Sequence, residues 1–177
     1  MTDLMPDAPG LPRPSRRAIL GATWTAPVVV AASAAPGYAA SASATLRFDT
    51  LTSYPTTWAG RGPTRIETQV QVQHVWAANA PTVSGLTVSV VFPGSVAAGG
   101  PAAVDGKGWT AGSVTGSAAK GWTYTFSYAD TLAPSASTAP LTFVVGRRDV
   151  DQRRETVTAY AGAPQAPTVT ATTTRSL

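Results

Sequence analysis

His74, the sole histidine among 177 residues, is the first candidate for a general base or a borderline metal ligand. A lone imidazole holds a metal only with carboxylates gathered around it. As a general base it also needs a nucleophile on one side and an orienting acid on the other. Hydroxyls and Asp residues are plentiful, but no motif such as Gly-x-Ser-x-Gly joins them. The absence of cysteine excludes disulfides, thiolate zinc sites, iron–sulfur clusters and cysteine nucleophiles. His74 is therefore expected to be a hydrogen-bonded structural residue, and the sequence assigns no catalytic residue, no metal site and no cofactor.

Two groups of residues carry binding chemistry instead. Trp58, Trp76, Trp109 and Trp122, with Tyr124 and Tyr128, could stack on sugar rings. Strand periodicity sends most of them to the core, and Trp58 is the best candidate because it stands in a stretch rich in Pro and Gly. The second group is 147–155, Arg-Arg-Asp-Val-Asp-Gln-Arg-Arg-Glu, in which Arg147, Arg148, Arg153 and Arg154 alternate with three acids. Mixed charges in one run read as a solvated loop. The four arginines are also a candidate surface for an anionic wall polymer. An intramolecular Lys–Asn bond is not expected, because its only partners, Lys107, Lys120 and Asn79, stand in or beside loops.

The N-terminal stretch has a different character. Ser15-Arg16-Arg17-Ala18-Ile19-Leu20 leads into a weakly apolar run to residue 35, and small residues follow Pro36. A basic region, an apolar region and a small-residue region in that order read as a cleavable export signal, the alternatives being an ordinary general-secretory signal or a membrane anchor retained over 18–35. Ser15, Arg16, Arg17, Ile19 and Leu20 resemble the twin-arginine signal pattern, with Gly21 where that family often has Lys. The resemblance implies the twin-arginine (Tat) translocase and signal peptidase as partners during export. Signal peptidase accepts small side chains around the cut, so Ala39, Ala40 and Ala42 mark the cleavage region, between 39 and 42. The expected division is a signal at 1–40 and a mature domain at 41–177, touching the membrane only through an uncleaved signal.

Composition bounds the mature part. Charged residues make up 12% of the chain, against about 25% in ordinary domains, so Ser, Thr, Gly and Ala must cover the surface. Removal of the signal takes Arg13, Arg16 and Arg17 from 13 basic residues and Asp3 and Asp7 from nine acidic ones. That leaves 10 and 7, a net charge of +3. So weak a balance implies no nucleic-acid partner.

The elements that must position these residues read as strands. Residues 45–52 alternate imperfectly, with Leu46 and Phe48 on one face, and 54–63 reads as a loop. Along 64–76 the alternation is cleanest, with Ile66, Thr68, Val70, Val72, His74 and Trp76 on the apolar side. Leu86, Val88, Val90 and Phe92 repeat at period two until Pro93-Gly94 stops them. The tetrapeptide Lys-Gly-Trp-Thr occurs at 107–110 and at 120–123, opening two strands of a hairpin. Trp122, Tyr124, Phe126 and Tyr128 share its apolar face, and Leu141, Phe143 and Val145 mark the next strand. Residues 156–161 and 168–173 give two more. About seven short strands separated by turn signals predict an all-β, immunoglobulin-like antiparallel sandwich.

Residues 82–161 are similar to the conserved Ig-like repeat of unknown function in bacterial surface proteins. The likeness rests on Phe92-Pro93-Gly94, Gly108-Trp109, Leu132-Ala133-Pro134-Ser135, Pro140-Leu141-Thr142-Phe143 and Thr156-Val157-Thr158. Ser135 stands where that family usually has Gly, and a single copy is present where several often follow in tandem. Neither a Leu-Pro-x-Thr-Gly motif nor a terminal hydrophobic helix occurs, so covalent wall attachment is not expected. The resemblance implies the fold and a place at the cell surface. The expected role is a non-enzymatic interaction or structural module with a wall glycan or protein partner, the alternative being a carbohydrate- or anionic-polymer-binding module.

Overall fold

Alternation of apolar and polar side chains resolves into nine strands and, among the described residues, no helix. The computed structural model describes residues 43–58, 61–148 and 153–177, without the side chains of 58 and 61–63. The export-signal and cleavage residues, through Ala42, lie outside them.

Strands β1 (Thr45–Trp58) and β2 (Arg61–Val75) make a long hairpin. They are followed by β3 (Thr87–Phe92), β4 (Ala103–Asp105), β5 (Trp109–Ser117) and β6 (Gly121–Tyr128). The chain ends with β7 (Leu141–Gly146), β8 (Arg154–Ala163) and β9 (Ala166–Ser176). One sheet runs β1-β2-β7-β4 and the other β5-β6-β3-β8-β9, and every pairing is antiparallel. The fold is the expected immunoglobulin-like sandwich.

The expected loop over 54–63 is instead the far half of the β1–β2 hairpin. Tyr54 pairs with Glu67, Pro55 with Ile66 and Trp58 with Arg61. Prolines fit here because β1 is an edge strand whose second side makes no ladder bond, and because β7 pairs with β2 only from Arg65 to Val70. Trp76 is also displaced from expectation. It falls just past β2 and is 68% exposed, whereas His74, two residues earlier, is buried.

The sheets meet through aromatic rings. Phe143 of β7 packs 4.4 Å from Phe126 and 6.2 Å from both Phe92 and Tyr124, all three on the other sheet. Phe92 and Tyr124 meet edge to face at 5.7 Å, a geometry that matches the ring quadrupoles. Fully burying a side chain of this size contributes roughly 1.5–3 kcal/mol. Trp109 and Tyr128 clamp the segment before β7: the Trp109 indole donates to the Ala139 carbonyl at 2.8 Å, and the Ala139 N–H donates to the Tyr128 hydroxyl at 3.2 Å.

The duplicated tetrapeptide has a backbone explanation. Gly108 and Gly121 both adopt positive φ, +81° and +92°, immediately before their tryptophans. A side chain at Gly121 would run into the Phe92 carbonyl. Each Gly-Trp pair therefore turns the chain sharply into a strand and delivers an indole toward the interior.

Between β6 and β7 the Ala136 N–H closes on the Ala133 carbonyl at 2.9 Å around Pro134 and Ser135. With Pro second and Ser135 at φ +73°, this is a type II turn. The turn lines the free edge of β2, where Ser135 N–H donates to His74 and His74 N–H to Ala136, both at 2.9 Å.

Two outcomes follow from this packing. Ser135→Gly is expected to stabilise the domain by about 0.5–1 kcal/mol, since glycine removes a left-handed strain of about 1–2 kcal/mol. Ser135→Val should destabilise it, and denaturant midpoints measure both. Tyr124 is 1% exposed, its hydroxyl has no hydrogen-bond partner among the described residues, and burial raises its phenol above the ordinary 10.0. Below pH 10 the folded and unfolded chains both keep that proton. Above it the unfolded chain ionises first, so stability falls as pH rises toward the folded value. Tyr124→Phe should raise stability at neutral pH by about 1 kcal/mol and flatten the alkaline loss, as urea titrations on either side of pH 10 would read.

Candidate functional site

His74 stands where β2 meets the type II turn. It is fully buried, and its Nδ1 donates to the Leu132 carbonyl at 3.1 Å, which fixes the tautomer because a carbonyl only accepts. Nε2 is buried without a partner among the described residues. Within the same residues no three His, Asp or Glu side chains gather as a metal would require. The neighbourhood of His74 is one of packing, with Leu132 bridged in turn to Val83 at 2.8 and 2.9 Å.

Of the aromatic candidates, Trp109 is 8% exposed and belongs to the core. Trp58 stands in a strand, at the tip of the β1–β2 hairpin, and not in a loop. Among the described residues the exposed large apolar ones are Trp76, Tyr54 and Tyr160. Period two along β8 carries the signal for Tyr160: Val157, Ala159 and Ala161 are buried, which turns Tyr160 outward.

The four arginines converge on one end of the sandwich. Arg147 is half-buried, its N–H donating to Thr64 at 3.0 Å while it bridges Ala97. Arg148 is exposed, with its N–H on Val96 at 2.8 Å and its guanidinium donating to the Gly94 carbonyl at 3.2 Å. Arg153 exchanges two backbone bonds with Leu177, at 2.9 and 3.1 Å. Arg154 is not in a loop: it opens β8, opposite Ser176. Each arginine backbone is thus pinned at a strand end, while Arg148, Arg153 and Arg154 are exposed.

Other cations collect at the same end. Arg175 is exposed and pairs with Glu155 across β8 and β9, and Lys120 is exposed in the β5–β6 turn. Arg61 sits across from Trp58 at the hairpin tip. Glu155 accepts a bond from Ser95 at 3.1 Å, and Asp149 and Asp151 intervene in sequence between Arg148 and Arg153. A shallow cleft of about 550 Å³ runs between β1 and β9, lined by Thr52, Ser53, Tyr54, Pro55, Arg175 and Ser176. The Tyr54 hydroxyl donates to Glu67, a bond that raises its phenol above the ordinary range. At the opposite end Asp49 accepts from both Arg47, at 3.1 Å, and Ser137, at 2.9 Å.

Arginine side chains with rigid forks of N–H donors, held at strand ends, suit carboxylate or phosphate groups. Sequence reading found four of them; Arg61 and Arg175 lie far away in the chain and reach this end only through strand pairing. His74→Ala should lower stability by about 2–4 kcal/mol, combining a cavity with a lost buried hydrogen bond, as denaturant unfolding would show.

No protein-family profile matches the chain, and a search of curated proteins finds no relative.

Proposed function

We propose that this chain is an exported, non-enzymatic immunoglobulin-like module that works at the bacterial cell surface and holds an anionic wall polymer against its arginine-rich end. The observation that carries this reading is the convergence of Arg148, Arg153, Arg154 and Arg175, all exposed, on one end of the sandwich. Export is read from Ser15, Arg16, Arg17, Ile19 and Leu20, with Tat translocase and signal peptidase as transient partners and cleavage near Ala39, Ala40 and Ala42. The start of β1 at Thr45 lies at the opposite end from the arginines, since Thr45 pairs with Val75 while Trp58 pairs with Arg61. The arginine end is therefore the end of the sandwich remote from Thr45.

The polymer would be a phosphate- or carboxylate-bearing chain, bound by several weak contacts that salt screens. Cosedimentation of the purified chain with anionic wall material should show retention that falls as salt rises from about 0.1 to 1 M, where the screening length drops from about 10 to 3 Å. Replacing Arg147, Arg148, Arg153 and Arg154 with Ser should abolish retention without loss of fold. Unchanged retention in that variant, or retention indifferent to salt, removes this reading.

A further inference from the structure

The outer face of the five-stranded sheet carries a chemistry unlike that of the arginine end. Strand register places Ser127, Thr87 and Gly162 in one row across β6, β3 and β8. The next row is Thr125, Ser89, Tyr160 and Thr170. Their sequence neighbours Val88, Phe126, Ala159 and Ala161 are buried, which turns these rows to solvent. Neither row contains an ionisable group other than the tyrosine.

A groove of about 440 Å³ crosses this face, between β3, β8 and the β8–β9 turn. That is within the range of small-molecule sites, about 300–1,000 Å³. Its sides are made by Tyr160, which is 40% exposed, and by Pro164, with Thr87, Ser89 and Thr168 among its lining. Gly162 lets Thr168 of β9 close in on the groove, since a Cβ there would stand 2.9 Å from the Thr168 hydroxyl. Of the three hydroxyls, that of Ser89 makes only a long contact, 3.4 Å, to Thr125.

These features specify a ligand class. A groove lined by no charged side chain offers a charged ligand no partner, which favours a neutral one. A ring face beside a row of hydroxyls wants a molecule with one apolar face and a polar rim. A pyranose with all its substituents equatorial is such a molecule: its axial C–H bonds form the apolar face and its hydroxyls form the rim. We infer that this groove binds a neutral chain of all-equatorial pyranose units, one ring stacked on Tyr160 and its hydroxyls meeting Thr87, Ser89 and Thr168. The continuation of the hydroxyl row to Thr170 supports neighbouring units of the same chain. The site shares no residue with the arginine end, so either reading can fail without the other.

Calorimetric titration of the chain with cellohexaose tests the assignment. A dissociation constant below about 1 mM is expected, nearly constant between low and high salt. Tyr160→Ala should weaken binding about tenfold or more, equivalent to about 1.4 kcal/mol. Tyr160→Phe, which keeps the ring, should restore most of it, and Thr87→Val should weaken it at nearly constant volume. Trp76→Ala removes an exposed aromatic elsewhere and should leave binding intact. Circular dichroism confirms that each variant is folded. Binding weaker than about 1 mM, equal binding by folded Tyr160→Ala, equal loss in Trp76→Ala, or binding that disappears with salt would each overturn the assignment.

Discussion

The contact of Phe143 with Phe92, Tyr124 and Phe126 is the one on which the other features depend. A chain without cysteine has no covalent tie between its sheets, so their separation and angle are set by what interdigitates between them. Phe143 comes from β7, which pairs with both β2 and β4, and its partners come from β3 and β6. Those are the middle strands. The outer strands then have fixed ladders to join, and the loops at both ends inherit their places from the strands they connect.

This arrangement explains why a surface with so few charges still has distinct regions. Once β3, β6 and β8 commit Val88, Val90, Phe126 and Ala159 to the core, their alternate residues must face water. Those residues are mostly Thr and Ser, which suit strands because they are β-branched or small and hydrogen-bond to water without a net charge. The charges are left for the strand ends, where register brings together residues distant in sequence. Arg175 stands opposite Glu155 only because β8 and β9 pair along their whole length.

The sandwich was legible from the sequence wherever one face of a strand is buried. His74, Val88, Phe126 and Phe143 were all placed inside by period two alone, and all are buried. Legibility failed where the ladder is one-sided. The half of β1 beyond Ser53 contains Tyr54 and Pro55, residues that look like a loop because an edge strand tolerates what a central strand cannot. Strand β4, three residues long, is too short to display any period. Trp76 continued the alternation by one step past the end of pairing, and periodicity cannot announce where hydrogen bonding stops. For the arginine end, the run at 147–155 was visible, whereas Arg61 and Arg175 required the register.

The same geometry changes what the net charge of +3 means. Among the described side chains, seven basic residues, Arg65, Lys120, Arg147, Arg148, Arg153, Arg154 and Arg175, belong to the elements of one end, and Arg47 and Lys107 to the other. Among the described residues, Glu67 and Glu155 offset part of the first group, while Asp49, Asp105 and Asp130 stay with the second. By register Asp105 pairs with Thr142, which pairs with Gln69, four residues along β2 from Arg65, roughly 13 Å at the usual rise, whereas screening at physiological salt acts over about 8 Å. The acids of the second group are therefore largely screened from an ion approaching the arginines. The approaching ion meets the local excess of cations, and the whole-chain balance understates the field at the place where it acts.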